Sequence, residues 1–211
     1  MKKIIFPLLF LAVAATAHAG DDKTKSASNG TDIGYGTEKT FISPVVTEHY
    51  EYYEIRGNNE KELRNQMCRN GCPFSDGKKY DSLTTWKVKL DYGYAQATKS
   101  CAADSVKVNV AINFRYPKWV RTDGAPPQLV AKWDNYMKNL VMHENEHRDI
   151  AVAAATELSK AVAALPAASS CTELDRQVRA MSRERLDKLS ADEKSLDDTT
   201  SHGKTEGVIF P

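Results

Sequence analysis

The sequence predicts an α+β domain in which a small antiparallel sheet packs on one long helix, with a second helix following it. Three observations predict this. Two stretches alternate apolar and polar residues with period two. Apolar residues then fall at threes and fours from Val130 to Leu165. Ser170 and Glu173 finally form a capping box that opens another periodic stretch.

The chain starts with a segment that is not expected to belong to the fold. Lys2 and Lys3 precede an apolar run from Ile4 to Ala15, and Ala17-His18-Ala19 has the small-x-small form of a signal peptidase site. Residues 1–19 therefore read as a signal peptide, cleaved near Ala19, and the protein as periplasmic or secreted. The run is too short for a membrane anchor, and no later stretch approaches the roughly 20 apolar residues of a spanning helix. Residues 20–40 are polar and read as a disordered leader. Residues 41–211 are expected to form one domain. Without Lys2 and Lys3, 27 basic residues face 28 acidic ones. That balance provides no electrostatic case for binding nucleic acid.

A first strand is expected from Val45 to Ile55, exposed because its charges are mixed. Residues 60–68 suit a short helix with Leu63 and Met67 one turn apart. Gly71, Pro73 and Asp76-Gly77 mark a loop. Trp86, Val88, Leu90, Tyr92 and Tyr94 then alternate with polar residues, as do Val106, Val108, Val110, Ile112 and Phe114, which makes two half-buried strands. Gly124-Ala125-Pro126-Pro127 reads as a turn with the long helix starting just after it, and Pro166 stops that helix. The second helix carries Leu174, Val178, Met181, Leu186 and Leu189. A polar tail is expected from Leu196 onward. Trp86, Trp119 and Trp133 read as core residues, and Tyr52 and Tyr53 as sheet packing.

Cys68, Cys72, Cys101 and Cys171 are an even number in an exported chain, which reads as two disulfides with three possible connectivities. The expected pairs are Cys68–Cys72, closing a tight loop around Gly71, and Cys101–Cys171, tying a strand end to the start of the second helix. A four-cysteine zinc site is the rival reading. It lacks two C-x-x-C-like pairs.

The chemistry is concentrated in His143-Glu144-Asn145-Glu146-His147, which fits H-E-x-x-H inside the long helix. Residues four apart share a helix face, so both imidazoles can reach one ion at about 2.1 Å. Glu144, rotated by one residue, can serve as general base toward water at an open coordination position. The pattern also occurs on surface helices without a metal. Here it lies in the middle of an amphipathic helix of an exported chain. A catalytic zinc ion wants three protein ligands. His49 and His202 are the remaining histidines after residue 19, and His202, in the polar turn before Gly203, is the preferred third ligand. Asp149, Asp197 and Asp198 are the acidic alternatives. Asp149 and Asp197 are also candidates to accept a hydrogen bond from a ligand histidine.

At this point the chain resembles a known group. Tyr53, Gly57, Glu62-Leu63-Arg64, Pro73, Gly77, Tyr80, Trp86, Cys101, Pro117, Trp119, Trp133 and Tyr136 precede His143-Glu144-x-x-His147 in a particular order. Cys171, Leu174, Asp197-x-x-Thr200-x-His202-Gly203, Gly207 and Phe210-Pro211 follow it. This order resembles the exported bacterial zinc-protease-like proteins grouped as domain of unknown function 922. The resemblance implies a zincin-like fold and zinc-dependent activity, and it adds support for His202 and for the Cys101–Cys171 pair. One position departs: Leu196 stands where relatives carry a tyrosine before the aspartate. Tyr53 and Tyr136 are the candidates to replace it.

The function expected is that of an exported peptide hydrolase with one zinc ion per chain, held by His143, His147 and His202, with Glu144 as base. Its substrate would be a peptide or protein, a cell-envelope peptide being one such substrate. The alternatives are a cell-wall peptide amidase and a non-catalytic, zinc-stabilised binding module.

Overall fold

The computed structural model describes residues 43–75 and 77–210. The expected signal peptide, its cleavage near Ala19 and the leader of residues 20–40 lie outside them.

The elements follow the expected order. Strand β1 (Val45–Ile55) is followed by helix α1 (Glu60–Asn70) and the short strands β2 (Cys72–Pro73) and β3 (Lys79–Tyr80). Strands β4 (Leu83–Ala97) and β5 (Ser100–Trp119) come next, then helix α2 (Pro127–Ala163) and helix α3 (Cys171–Thr200). A single 3₁₀ turn (Lys204–Glu206) precedes the end of the described chain. The β2–β3 pair forms a separate two-stranded sheet.

The main sheet has the order β1-β5-β4, and it is mixed. β4 and β5 form the expected antiparallel hairpin, but β1 runs parallel to β5, with Val45 opposite Asn109 and Ile55 opposite Trp119. This corrects the fully antiparallel sheet expected above. The chain leaves β1 and passes through α1, β2, β3 and β4 before β5 returns beside it, and a parallel neighbour is reached only by such a crossover. Alternation of residue type carries no information on strand direction, so the sequence pattern is the same for either pairing.

From Val106 to Tyr116 the even-numbered β5 residues are buried. Val108, Val110, Ile112 and Phe114 are buried against Leu140, Ala151, Ala155 and Leu158 of α2. The same face of α2 buries His143, Glu144 and His147, so the H-E-x-x-H segment lies inside the fold. α3 is capped as expected, with the Glu173 amide donating to Ser170 Oγ at 3.2 Å. It runs on to Thr200, longer than its apolar stripe suggests. Asp197, expected in a tail, therefore stands in the last turns of a helix. No helix among the described residues is long and apolar enough to cross a membrane.

Two fastenings hold α3 and the chain end in place. Cys101 and Cys171 are bonded, and the backbones of Cys101 and Ala168 exchange hydrogen bonds of 2.9 and 2.8 Å beside them. Phe210 packs on Trp133 and Tyr136 with ring centroids 5.5 and 5.2 Å apart. The Cys68–Cys72 bond does not form. Cys68 is exposed on the last turn of α1, whereas Cys72 is buried beyond Gly71 with its thiol 3.8 Å from the Arg115 carbonyl. The Gly71 amide closes the helix on Met67 O, and the chain turns there into β2, sending one thiol to solvent and the other into the core. With Cys101 and Cys171 bonded to each other, the four-cysteine zinc site is also ruled out.

Candidate metal centre

His143 and His147 stand one turn apart on α2, both buried, with ring centroids 5.0 Å apart. α3 crosses opposite them and presents its own pair one turn apart, Glu193 and Asp197. His143 Nε2 lies 3.3 Å from Asp197 Oδ1, and His147 Nε2 lies 3.4 Å from the same oxygen. Each imidazole is held from behind. His143 Nδ1 lies 2.9 Å from Glu206 Oε2 in the 3₁₀ turn, and His147 Nδ1 hydrogen-bonds Glu193 Oε2.

This arrangement suits a cation. If the Nδ1 protons are donated to Glu206 and Glu193, each neutral ring aims an Nε2 lone pair at the anionic oxygen of Asp197. Such a contact is repulsive unless a proton or a metal ion lies between them. Carboxylates behind the ligand imidazoles are the usual way to orient metal-bound histidines. Donors around a tetrahedral zinc at about 2.0–2.1 Å stand roughly 3.3–3.4 Å apart, and each imidazole Nε2 stands at that spacing from Asp197 Oδ1. His143, His147 and Asp197 thus form a buried cluster capable of coordinating a metal ion.

The ionisation of these groups follows the same logic. Burial disfavours the charged form of His147, but hydrogen bonds to Asp197 and Glu193 outweigh it and push the pKa up to about 10. His143 shifts upward too, burial being overcome chiefly by the Asp197 hydrogen bond. Burial alone would raise Asp197, yet the two histidines hold it well below the usual carboxylate range. Burial raises Glu193 despite its bond to His147. The shifts of His143, His147 and Asp197 all favour positive charge at the point between the two imidazoles and Asp197.

Glu144 is also buried, but it is turned toward the start of β4. The Ser82 hydroxyl donates to Oε1 and the Thr84 hydroxyl to Oε2. The segment carrying these hydroxyls is pinned by Asp81. Arg64 donates to both Asp81 carboxylate oxygens, at 2.9 and 2.8 Å, and Tyr136 donates to Oδ2 at 2.6 Å. Tyr53 donates to the Asp81 carbonyl at 2.7 Å. Both tyrosines considered as replacements for the residue at Leu196 are therefore occupied at Asp81.

His202 sits at the rim. Ser201 and His202 adopt left-handed backbone conformations with φ 52° and 56°, an uncommon pair of non-glycine residues. The His202 amide donates to Asp197 O at 2.8 Å, and its Nδ1 lies 3.1 Å from Asp197 Oδ1. The turn is tight: a Cβ on Gly203 would meet Val208 Cγ2 at 2.6 Å and His143 Cγ at 3.0 Å, and its φ of +75° also suits glycine. His202 thus meets the His143–His147–Asp197 cluster through Asp197.

The other candidates stand elsewhere. His49 is exposed on β1 beside Glu51. Asp149 is exposed and paired with Arg148 at 2.8 Å, so it is not an acceptor for either α2 histidine, because it projects from another side of the helix. Asp198 is exposed and paired with Lys194. Sequence reading missed Glu193, Glu206, Ser82 and Thr84. The four-residue spacing of Glu193 and Asp197 was a usable signal once α3 was extended past Leu189. Nothing local marks the other three.

Fold and cluster together define an α+β protein with a candidate metal centre on an H-E-x-x-H helix. The chain belongs to the family described as bacterial protein of unknown function DUF922, matched over residues 50–203. No curated protein and no solved structure matches it.

Proposed function

We propose that this protein is an exported zinc-dependent peptide hydrolase, processed near Ala19 and acting in the periplasm or outside the cell. The observation that carries the reading is the convergence of His143 Nε2 and His147 Nε2 on Asp197 Oδ1, with carboxylates behind both rings. His143, His147 and Asp197 are the proposed donors. His202, at the rim with its Nδ1 3.1 Å from the same oxygen, is the alternative to Asp197 as third ligand, so that one coordination position stays open for water. A zinc ion held there would lower the pKa of its water toward about 7 and polarise a substrate carbonyl.

The chain's own groups supply the rest. Glu144, next to the ligand His143, takes the proton of the attacking water and passes it to the leaving amine. Glu193 and Glu206 keep the imidazoles in the tautomer that leaves Nε2 free. Ser82 and Thr84 hold the Glu144 carboxylate in one orientation.

One observation favours a second reading, a zinc-stabilised envelope module without turnover. Both Glu144 oxygens already accept hydrogen bonds from Ser82 and Thr84. One experiment separates the two. Wild type and Glu144→Gln, both checked for zinc, are incubated with a mixed peptide library and a peptidoglycan digest. Cleavage by wild type alone supports the hydrolase, and the digest tests the amidase variant. Zinc without cleavage in either form supports the module, and no zinc in either form removes both readings.

A further inference from the structure

A row of rings leads from the surface to the cluster. Phe74, in the loop between β2 and β3, is 47% exposed, although it is a large apolar side chain. It meets Tyr80 edge-on, with centroids 5.9 Å apart. Tyr80 in turn lies against His202 at 4.7 Å, and His202 Nδ1 is 3.1 Å from Asp197 Oδ1. Three consecutive contacts therefore join an open phenyl ring to the atom on which the α2 histidines converge.

The backbone presenting these rings is firmly seated. Cys72 pairs with Tyr80 and Pro73 with Lys79. The Phe74 amide donates to Lys78 O at 2.9 Å, and the Gly77 amide to Phe74 O at 3.1 Å. Gly71 lies so close to this hairpin that a Cβ there would meet Tyr80 O at 2.6 Å. On the other side, the His202 ring lies with Nδ1 3.1 Å from Asp197 Oδ1, and the His202 backbone amide donates to Asp197 O at 2.8 Å. Phe74 is thus displayed at the end of the β2–β3 pair, tied by backbone hydrogen bonds to Lys78 and Gly77, with Tyr80 between it and His202. Ordered aromatic surface next to a polar reactive point is how binding pockets orient a ligand: the apolar wall takes a side chain while the polar group takes the reacting bond.

We propose that Phe74, Tyr80 and His202 form one wall of a substrate subsite that accepts an aromatic or large aliphatic side chain of a peptide, next to the bond placed at the metal centre. The inference rests on the metal-centre reading. A ring stacked or set edge-on against such a wall is preferred over a hydrogen atom by about tenfold, the scale of one aromatic pair.

The test does not require turnover. Zinc-loaded full chain is titrated calorimetrically with two metal-chelating probes, L-phenylalanine hydroxamate and glycine hydroxamate. Wild type is expected to bind the phenylalanine probe about tenfold more tightly. Phe74→Ala, with its zinc content measured alongside, is expected to bring the ratio to within about twofold. Phe74→Leu, which keeps an apolar wall, is expected to retain most of it. Equal affinities in wild type, or a ratio that survives Phe74→Ala, would overturn the subsite and leave the metal centre standing. Zinc-loaded protein that binds neither probe would overturn the subsite and the open metal position together.

Discussion

Asp197 Oδ1 lies 3.3 Å from His143 Nε2, although the two residues are 54 positions apart and on different helices. The contact depends on the lengths of α2 and α3 and on the Cys101–Cys171 bond that fixes where α3 begins. It leads directly to a metal test. Purified chain is expected to hold one zinc ion, measured by atomic emission. Asp197→Ala should abolish binding, and His202→Ala should weaken it. Unchanged affinity in the second variant would remove His202 from the ligand set.

Glu193 and Glu206 bear on the ion through the imidazoles they orient. Glu193→Gln and Glu206→Gln are each expected to lower zinc affinity by about 10- to 100-fold. Competition with a chromogenic chelator measures this. An effect equal to that of an exposed control such as Glu157→Gln would mean that the carboxylates are bystanders.

Glu144→Gln should keep its zinc and lose at least about 100-fold in turnover, the lower range for a general base. The double variant Ser82→Ala with Thr84→Val should also keep zinc, and it tests whether the two hydroxyls hold the carboxylate usefully. A fall in turnover supports that role. A rise would instead mean that the hydroxyls restrain the base.

The pH dependence has a definite sign. The His147 pKa rises from 6.5 to about 10 in the metal-free fold. Its contribution to stability is therefore complete below about pH 6.5 and is lost as the pH rises through about 10. Zinc needs the neutral imidazole, so acid opposes binding. The Tm difference between zinc-loaded and chelator-treated protein is expected to widen from about pH 6 to about pH 9. A constant difference would contradict the assignment of His147 as a ligand.

The cysteines make a separate prediction. The Cys101–Cys171 loop spans 70 residues, and removing the bond is expected to cost about 4 kcal/mol on the loop-entropy model, read from denaturant melts. Without reductant, alkylation of the native protein should label Cys68 alone, and unfolding should add Cys72. Two unlabelled thiols in the unfolded, non-reduced chain would mean that Cys68 and Cys72 are oxidised after all.

Much of the architecture was legible along the chain because it is local. β1 from Val45 to Ile55, the alternation of Val106 to Phe114 and the Ser170 cap depend on neighbours within a few positions. So does the shared face of His143 and His147, since four residues make about one helical turn. The direction of β1 was not legible, because period-two alternation is identical in parallel and antiparallel pairing. The end of α3 was missed because its last two turns carry little apolar signal.

The sequence by itself determined that an H-E-x-x-H pair would lie on one face of a long amphipathic helix, and that Cys101 and Cys171 stood where a strand end could be tied to a helix start. Only the tertiary structure decided what faces the pair. Asp197, Glu193 and Glu206 reach the imidazoles from 46 to 63 residues away, and Ser82 and Thr84 reach Glu144 from the other direction. A metal centre is a point in space, and its donors are gathered by the packing of helices and turns whose sequence separation carries no record of the distance between them.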